Sequence, residues 1–282
     1  MKLKYIIPVA IALGLIALLN FGVSTKKPVD PNTDSEAPMA AAMGQQKVSA
    51  LNLDSLLTVM KKKLPPAIQA KISLLENNIT RGDIKEQQIA DYESLGDIWL
   101  QEGQKGIAGH YIGLSGKLEN SEKKLNFAAH LISEALNADA LMPAMKSWLE
   151  KEAVQYYSAS LAINPVNDTA KMELAMVYMD AQQPMKGVEQ LLDIVRRDST
   201  NIPANVMLGK MAVQSGQLDK AIQRGQTVLR KDPGNIDAHL FMGEAYKRKG
   251  NKAKAIQLFT EAKKLMNNPA FSKDVDAYIS TF

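Results

Sequence analysis

Three histidines, His110, His130 and His239, are the side chains in this sequence best suited by type to hold a metal or move a proton near neutral pH. None has an acid or a second histidine at metal-ligand spacing, so all three read as surface or groove residues. Glu93 and Asp97 fall one helical turn apart, but paired carboxylates on an exposed helix face are ordinarily just solvated. In Gly113-Leu114-Ser115-Gly116 a serine stands between glycines, yet no strand leads into it as a nucleophile elbow requires. That stretch reads as a helix-ending turn. The 282 residues include no cysteine, which removes disulfides, thiolate metal sites, cysteine nucleophiles and a lipid-bearing cysteine. No catalytic residue, metal site or cofactor is expected, and the chain reads as a non-enzyme.

Charge narrows the partners. A formal net charge of +4 over this length is too small for a dedicated nucleic-acid binder. The densest basic run is Lys247, Arg248, Lys249, Lys252 and Lys254, followed by Lys263 and Lys264. It is suited to anionic lipid or an acidic partner, although a solvated helix face is the simpler account of it.

The elements that would position these residues are helical. With 46% hydrophobic and 23% charged residues the chain has the composition of a folded protein. Leu51, Leu53, Leu56, Leu57 and Met60 recur at helical spacing and stop at Pro65 and Pro66. Ile68, Ile72 and Leu75 form the stripe of a second helix. Beyond Asp83, helical patterns are cut at short intervals by Gly, Pro and Asn, and nothing alternates with a period of two. The fold class is all-α.

A period of 34 residues then emerges. Leu174, Leu208 and Met242 are each followed by a small residue, Ala175, Gly209 and Gly243. Three places on stand Tyr178, Ala212 and Tyr246, and a second small residue recurs at Gly187, Ala221 and Ala255. Gly216 and Gly250 mark turns, and segments close near Pro165, Pro233 and Pro269. An earlier copy reads Tyr92, Leu95-Gly96, Trp99, Gly103 and Ala108. Another, with Leu125, Phe127 and Leu131, carries about 11 extra residues around 137–145. Two antiparallel helices approach closely only where side chains are small, and one hairpin cannot bury its own apolar face without stacked neighbours.

This pattern resembles the tetratricopeptide repeat (TPR). The resemblance implies a helix-turn-helix solenoid, a right-handed superhelix, over residues 86–269. Its copies are 89–122, 123–167 (expanded), 168–201, 202–235 (with Gly225 where a bulky residue is usual) and 236–269. Residues 49–85 form a helical N-terminal segment. Residues 270–282, with Val275, Tyr278, Ile279 and Phe282 on one stripe, read as a capping helix. In this family the concave surface comes from outward positions of each first helix. Here those map to Met172, Met176 and Met179, to Val206, Lys210 and Val213, and to Leu240, Glu244 and Lys247. The Lys, Asn and Arg set that grips a chaperone's terminal carboxylate in some relatives is missing. The implied groove is Met-rich and apolar, a surface that adapts to varied side chains. Either a partner helix or peptide enters it, or the helices of residues 51–77 fill it.

The N-terminus carries a separate signal. Residues 5–23 make 19 positions without a charge, preceded by Lys2 and Lys4. As a helix this run is about 28 Å long, close to the roughly 30 Å of a bilayer's hydrocarbon. Residues 1–24 are therefore expected to be a single transmembrane signal-anchor, and the proline-rich stretch 25–48 a linker. The charge balance favours an inner-membrane protein with its bulk on the periplasmic side; cleavage as a signal peptide would instead release it into the periplasm. Two functions follow as expectations. The first is a membrane-anchored scaffold binding protein partners. The second is a chaperone-like accessory holding unfolded or translocating chains.

Overall fold

Asparagine opens six of the thirteen helices among the described residues. The side-chain oxygens of Asn52, Asn167, Asn201, Asn235, Asn251 and Asn268 each accept from a backbone N–H three residues on, as does that of Ser121. Each satisfies one of the N–H groups that a helix start leaves unpaired. The computed structural model describes residues 52–282 apart from 83, 139 and 140. The expected membrane helix and linker lie outside the described residues. Among the described residues no helix is long and apolar enough to cross a membrane.

All regular structure in the described residues is helical: α1 (Leu53–Lys61), α2 (Pro66–Arg81), α3 (Lys85–Gln101), α4 (Lys105–Glu119), α5 (Glu122–Leu136), α6 (Pro143–Ile163), α7 (Asp168–Asp180), α8 (Pro184–Arg197), α9 (Ile202–Gln214), α10 (Leu218–Lys231), α11 (Ile236–Arg248), α12 (Lys252–Met266) and α13 (Pro269–Ile279). They fall into two compact units, which divide between residues 199 and 200.

In the first unit, α3–α4, α5–α6 and α7–α8 are hairpins, and α2 packs on α3. The core is built on Leu95, Trp99, Ile132, Leu149, Tyr156 and Tyr157, with Leu57, Met60, Ile68 and Leu75 packed against it. One sequence expectation changes. Gly113-Leu114-Ser115-Gly116 is helix interior, not a turn, because α4 continues to Glu119. Gly113 serves close approach instead: a Cβ there would lie 2.2 Å from the Tyr156 ring. The surplus in the expanded copy does not form a simple loop. It lengthens the second helix, so that α6 reaches 21 residues, and its added turns carry Trp148 and the buried Leu149.

In the second unit, α9–α10 and α11–α12 are hairpins and α13 packs on α12. Phe271 and Val275 of α13 are buried with Phe259. One turn closes four hairpins across the two units. Gly103, Gln182, Gly216 and Gly250 have φ of 72°, 58°, 75° and 80°. The next residue's N–H then returns to the carbonyl five back, as from Gln183 to Tyr178 at 2.8 Å. This left-handed closure satisfies carbonyls at the helix end.

Candidate partner-binding face

The histidines divide. His110 is largely buried, its Nδ1 2.8 Å from Glu152 Oε2. His239 is buried, and its Nε2 lies 3.0 Å from the Pro233 carbonyl. Neither is the surface or groove residue expected from sequence, because each found an interior acceptor. His130 is exposed. No group of three His, Cys, Asp or Glu placed to hold a metal occurs among the described residues. Glu93 is not simply solvated: it pairs with Lys124 and accepts from Ser115 Oγ at 3.3 Å.

The basic run is mostly engaged as well. Arg248 Nε meets Glu244 at 2.7 Å, Lys263 meets Asp276 at 2.6 Å, Lys264 meets Glu261 at 2.8 Å, and Lys249 pairs with Asp219. Four of its seven charges are thus held in ion pairs.

The mapped groove residues lie in two units, and each unit stands alone. In the first, Met176 is 53% exposed, while Met172 and Met179 are half-buried. In the second, the expected surface is largely closed. Val206 and Val213 are core residues, packed with Phe241 and Met242. Lys210 pairs with Asp237 at 3.0 Å. Leu240 packs against the α13 cluster. Glu244 is buried, accepting from Tyr278 Oη at 2.5 Å, and Lys247 Nζ lies 3.9 Å from the centre of the Tyr278 ring. Repeat position alone does not tell how closely the next first helix packs. Here α11 and α13 cover most of what the mapping left open.

An open face does exist in the first unit, in the expanded copy. A cavity of about 270 Å³ is lined by Asn126, Phe127 and His130 of α5, Tyr157 of α6, and Asn167, Thr169, Ala170 and Glu173 at the start of α7. No residue of α1 or α2 lines it. Its polar frame is tightly bonded. Glu122 Oε1 accepts from Asn126 at 3.4 Å, Asn164 at 3.0 Å and Asn167 at 2.7 Å. Ser160 Oγ donates to Asn126 Oδ1 at 2.7 Å. Tyr157 donates its hydroxyl to Glu173, and His130 Nδ1 lies 3.2 Å from the same carboxylate. Burial first, and then the bond to Glu173, raise the Tyr157 phenol far above its ordinary range, so it stays a donor.

The sequence mapping missed these residues, although a signal for them exists. Helix-capping residues Asn167, Asn201 and Asn235 stand 34 apart, but Ser121 stands 46 before Asn167. Counting from the cap places Asn126 and His130 where later copies have Met172 and Met176.

Comparisons with known proteins agree with this architecture. Residues 212–273 match the tetratricopeptide repeat family model. No curated protein matches the chain. Among solved structures, YrrB, a TPR protein described as having an unusual peptide-binding site, is similar at 17% identity and a TM-score of 0.51, over 72% of this chain and 97% of its own. MamA is similar at 19% identity and a TM-score of 0.52, over 66% and 95%. MamA from residue 41 onward, from Desulfovibrio magneticus RS-1, gives 20% identity and 0.51 over 66% and 97%. At such identities the likeness is one of fold. The class is an all-α helical-repeat protein of the tetratricopeptide type, a fold that suggests a platform for protein–protein interaction.

Proposed function

We propose that this chain is a membrane-anchored adaptor whose first helices present a binding face to a protein or peptide partner. The observation that carries this reading is the cavity between α5 and α7, where Phe127 is 46% exposed beside a preorganised polar frame. Open apolar surface next to fixed polar groups is the usual composition of a recognition site. The peptide-binding site ascribed to YrrB supports the reading by analogy of fold. The anchor rests on the uncharged run at residues 5–23.

A photo-crosslinking amino acid at His130 or Met176, activated in intact membranes, tests the proposal. A discrete adduct of constant stoichiometry is expected at both positions. Adducts only within the chain itself would overturn the adaptor reading. A smear of many captured chains would replace it with the holding function. Release of the protein from membranes by alkaline carbonate would remove the anchor.

A further inference from the structure

We propose that the cavity between α5 and α7 accepts an arginine side chain from an extended segment of the partner, a reading that rests on the adaptor role above. The argument is an inventory of open valences. Asn126 uses its oxygen on Ser160 and its nitrogen on Glu122. Asn167 uses its oxygen to cap Ala170 and its nitrogen on Glu122. The hydroxyl hydrogen of Tyr157 goes to Glu173. Both bonds received by Glu173, from Tyr157 and from His130, reach the same oxygen, Oε2. Among the described residues its Oε1 has no hydrogen-bond partner. The amide nitrogens and the Thr169 hydroxyl keep further donors, but the open charged atom of the lining is this carboxylate oxygen, and a guest meets it with a donor.

The second half of the site is the Phe127 ring. A guanidinium is the donor that also stacks: it is planar, weakly hydrated, and lies over an aromatic face while its edge donates to a carboxylate. A lysine ammonium would make the ion pair without the stack. A terminal carboxylate would be repelled by Glu173. The lining agrees in sign, since no lysine or arginine lines the cavity; the neighbouring Glu134, 3.9 Å from His130 Nε2, is already paired with Lys105 at 3.0 Å. Lys123, one turn before Phe127, is exposed and lies outside the lining. The volume of about 270 Å³ suits one long side chain, being smaller than the roughly 300–1,000 Å³ of sites for whole ligands.

The presence of three histidines gives a direct readout. The full-length protein in nanodiscs, with ring-labelled histidine, is titrated with a capped Ala-Ala-Arg-Ala-Ala peptide and with the same peptide carrying citrulline, the neutral isostere. The arginine peptide is expected to move the His130 ring signal at millimolar concentration and to leave those of the interior His110 and His239 unmoved. Charge-assisted hydrogen bonds are about twice as strong as neutral ones, so citrulline should bind about tenfold more weakly. Glu173→Gln keeps an oxygen for Tyr157 and should narrow the difference between the peptides to what the Phe127 stack alone distinguishes, and Phe127→Leu should weaken the arginine peptide. Equal binding of the two peptides, no response of His130, or discrimination undiminished by Glu173→Gln would overturn the inference. If that happens while a crosslinker at His130 still captures a discrete protein, the adaptor reading stands and the arginine specificity falls.

Discussion

The ring of Phe241 lies against the bare backbone of Gly209, 2.5 Å from where a Cβ would be. In other hairpins the small residue of the first helix meets its own second helix: Gly96 faces Ile112 and Gly243 faces Phe259. The second helix of this copy has Gly225 at the corresponding place, so it offers no side chain. Phe241 and Met242 of α11 fill the space instead, a Cβ on Gly225 falling 2.2 Å from Met242. Gly225→Leu, which restores the bulk usual in the family, is therefore expected to destabilise by about 1–3 kcal/mol through overpacking. Phe241→Ala should cost about 3–5 kcal/mol. Urea unfolding of Gly225→Leu combined with Phe241→Ala should show strong coupling. Simple additivity would mean that the two positions do not share one space.

The four equivalent hairpin turns yield a second expectation. Gln182 adopts the left-handed conformation that Gly103, Gly216 and Gly250 adopt freely. A side chain there costs about 1 kcal/mol. Gln182→Gly should raise stability by about that amount, and Gly216→Ala should lower it similarly. Equal melting temperatures for parent and Gln182→Gly would refute this account of the turn.

These two cases indicate what a sequence makes legible. The recurrence of Ala175, Gly209 and Gly243 could be read directly, because close helix approach admits few residue types. Gln182 gave no signal, since its backbone is set by the surrounding hairpin rather than by its own preference. The face of α9 was misread because burial of Val206 and Val213 depends on how near α11 comes, which Gly209 and Gly225 decide together. The cavity at Phe127 was missed because the longer α6 breaks the 34-residue spacing that guided the mapping.

Acid sensitivity should centre partly on Glu152. Burial raises its pKa, but the hydrogen bond and charge of His110, with Tyr156 and Lys117, outweigh that and hold it below the usual carboxylate range. A depressed folded-state pKa contributes stability above the unfolded value, and that contribution disappears as pH falls through the folded one. Stability is thus expected to decline below about pH 4.3, the ordinary glutamate value. Glu152→Gln should lower stability by about 1–3 kcal/mol at pH 7 and flatten the acid limb. It should not erase that limb, because Lys171 also holds Asp193 low. Parallel pH profiles for parent and variant, by urea unfolding, would assign the acid response to other groups.

Asn167 ties the cap of α7 to the frame of the cavity. Its oxygen accepts from Ala170 N at 3.0 Å and its nitrogen donates to Glu122 at 2.7 Å. The first bond is worth about 1 kcal/mol as a helix cap, and a hydrogen bond to a charged acceptor contributes about 1.5–3 kcal/mol. Asn167→Ala loses both and should cost more than Asn268→Ala, whose oxygen caps α13 at Phe271 N, 3.0 Å away. Asn167→Ser keeps a capping oxygen but is too short to replace the amide donor to Glu122, so it should recover only the cap's share. The His130 ring signal adds a readout that a cap alone would not move, because Glu122 also holds Asn126 at the cavity wall. If Asn167→Ser matches the parent in both stability and His130 signal, Glu122 is not what joins α5 to α7 across the cavity.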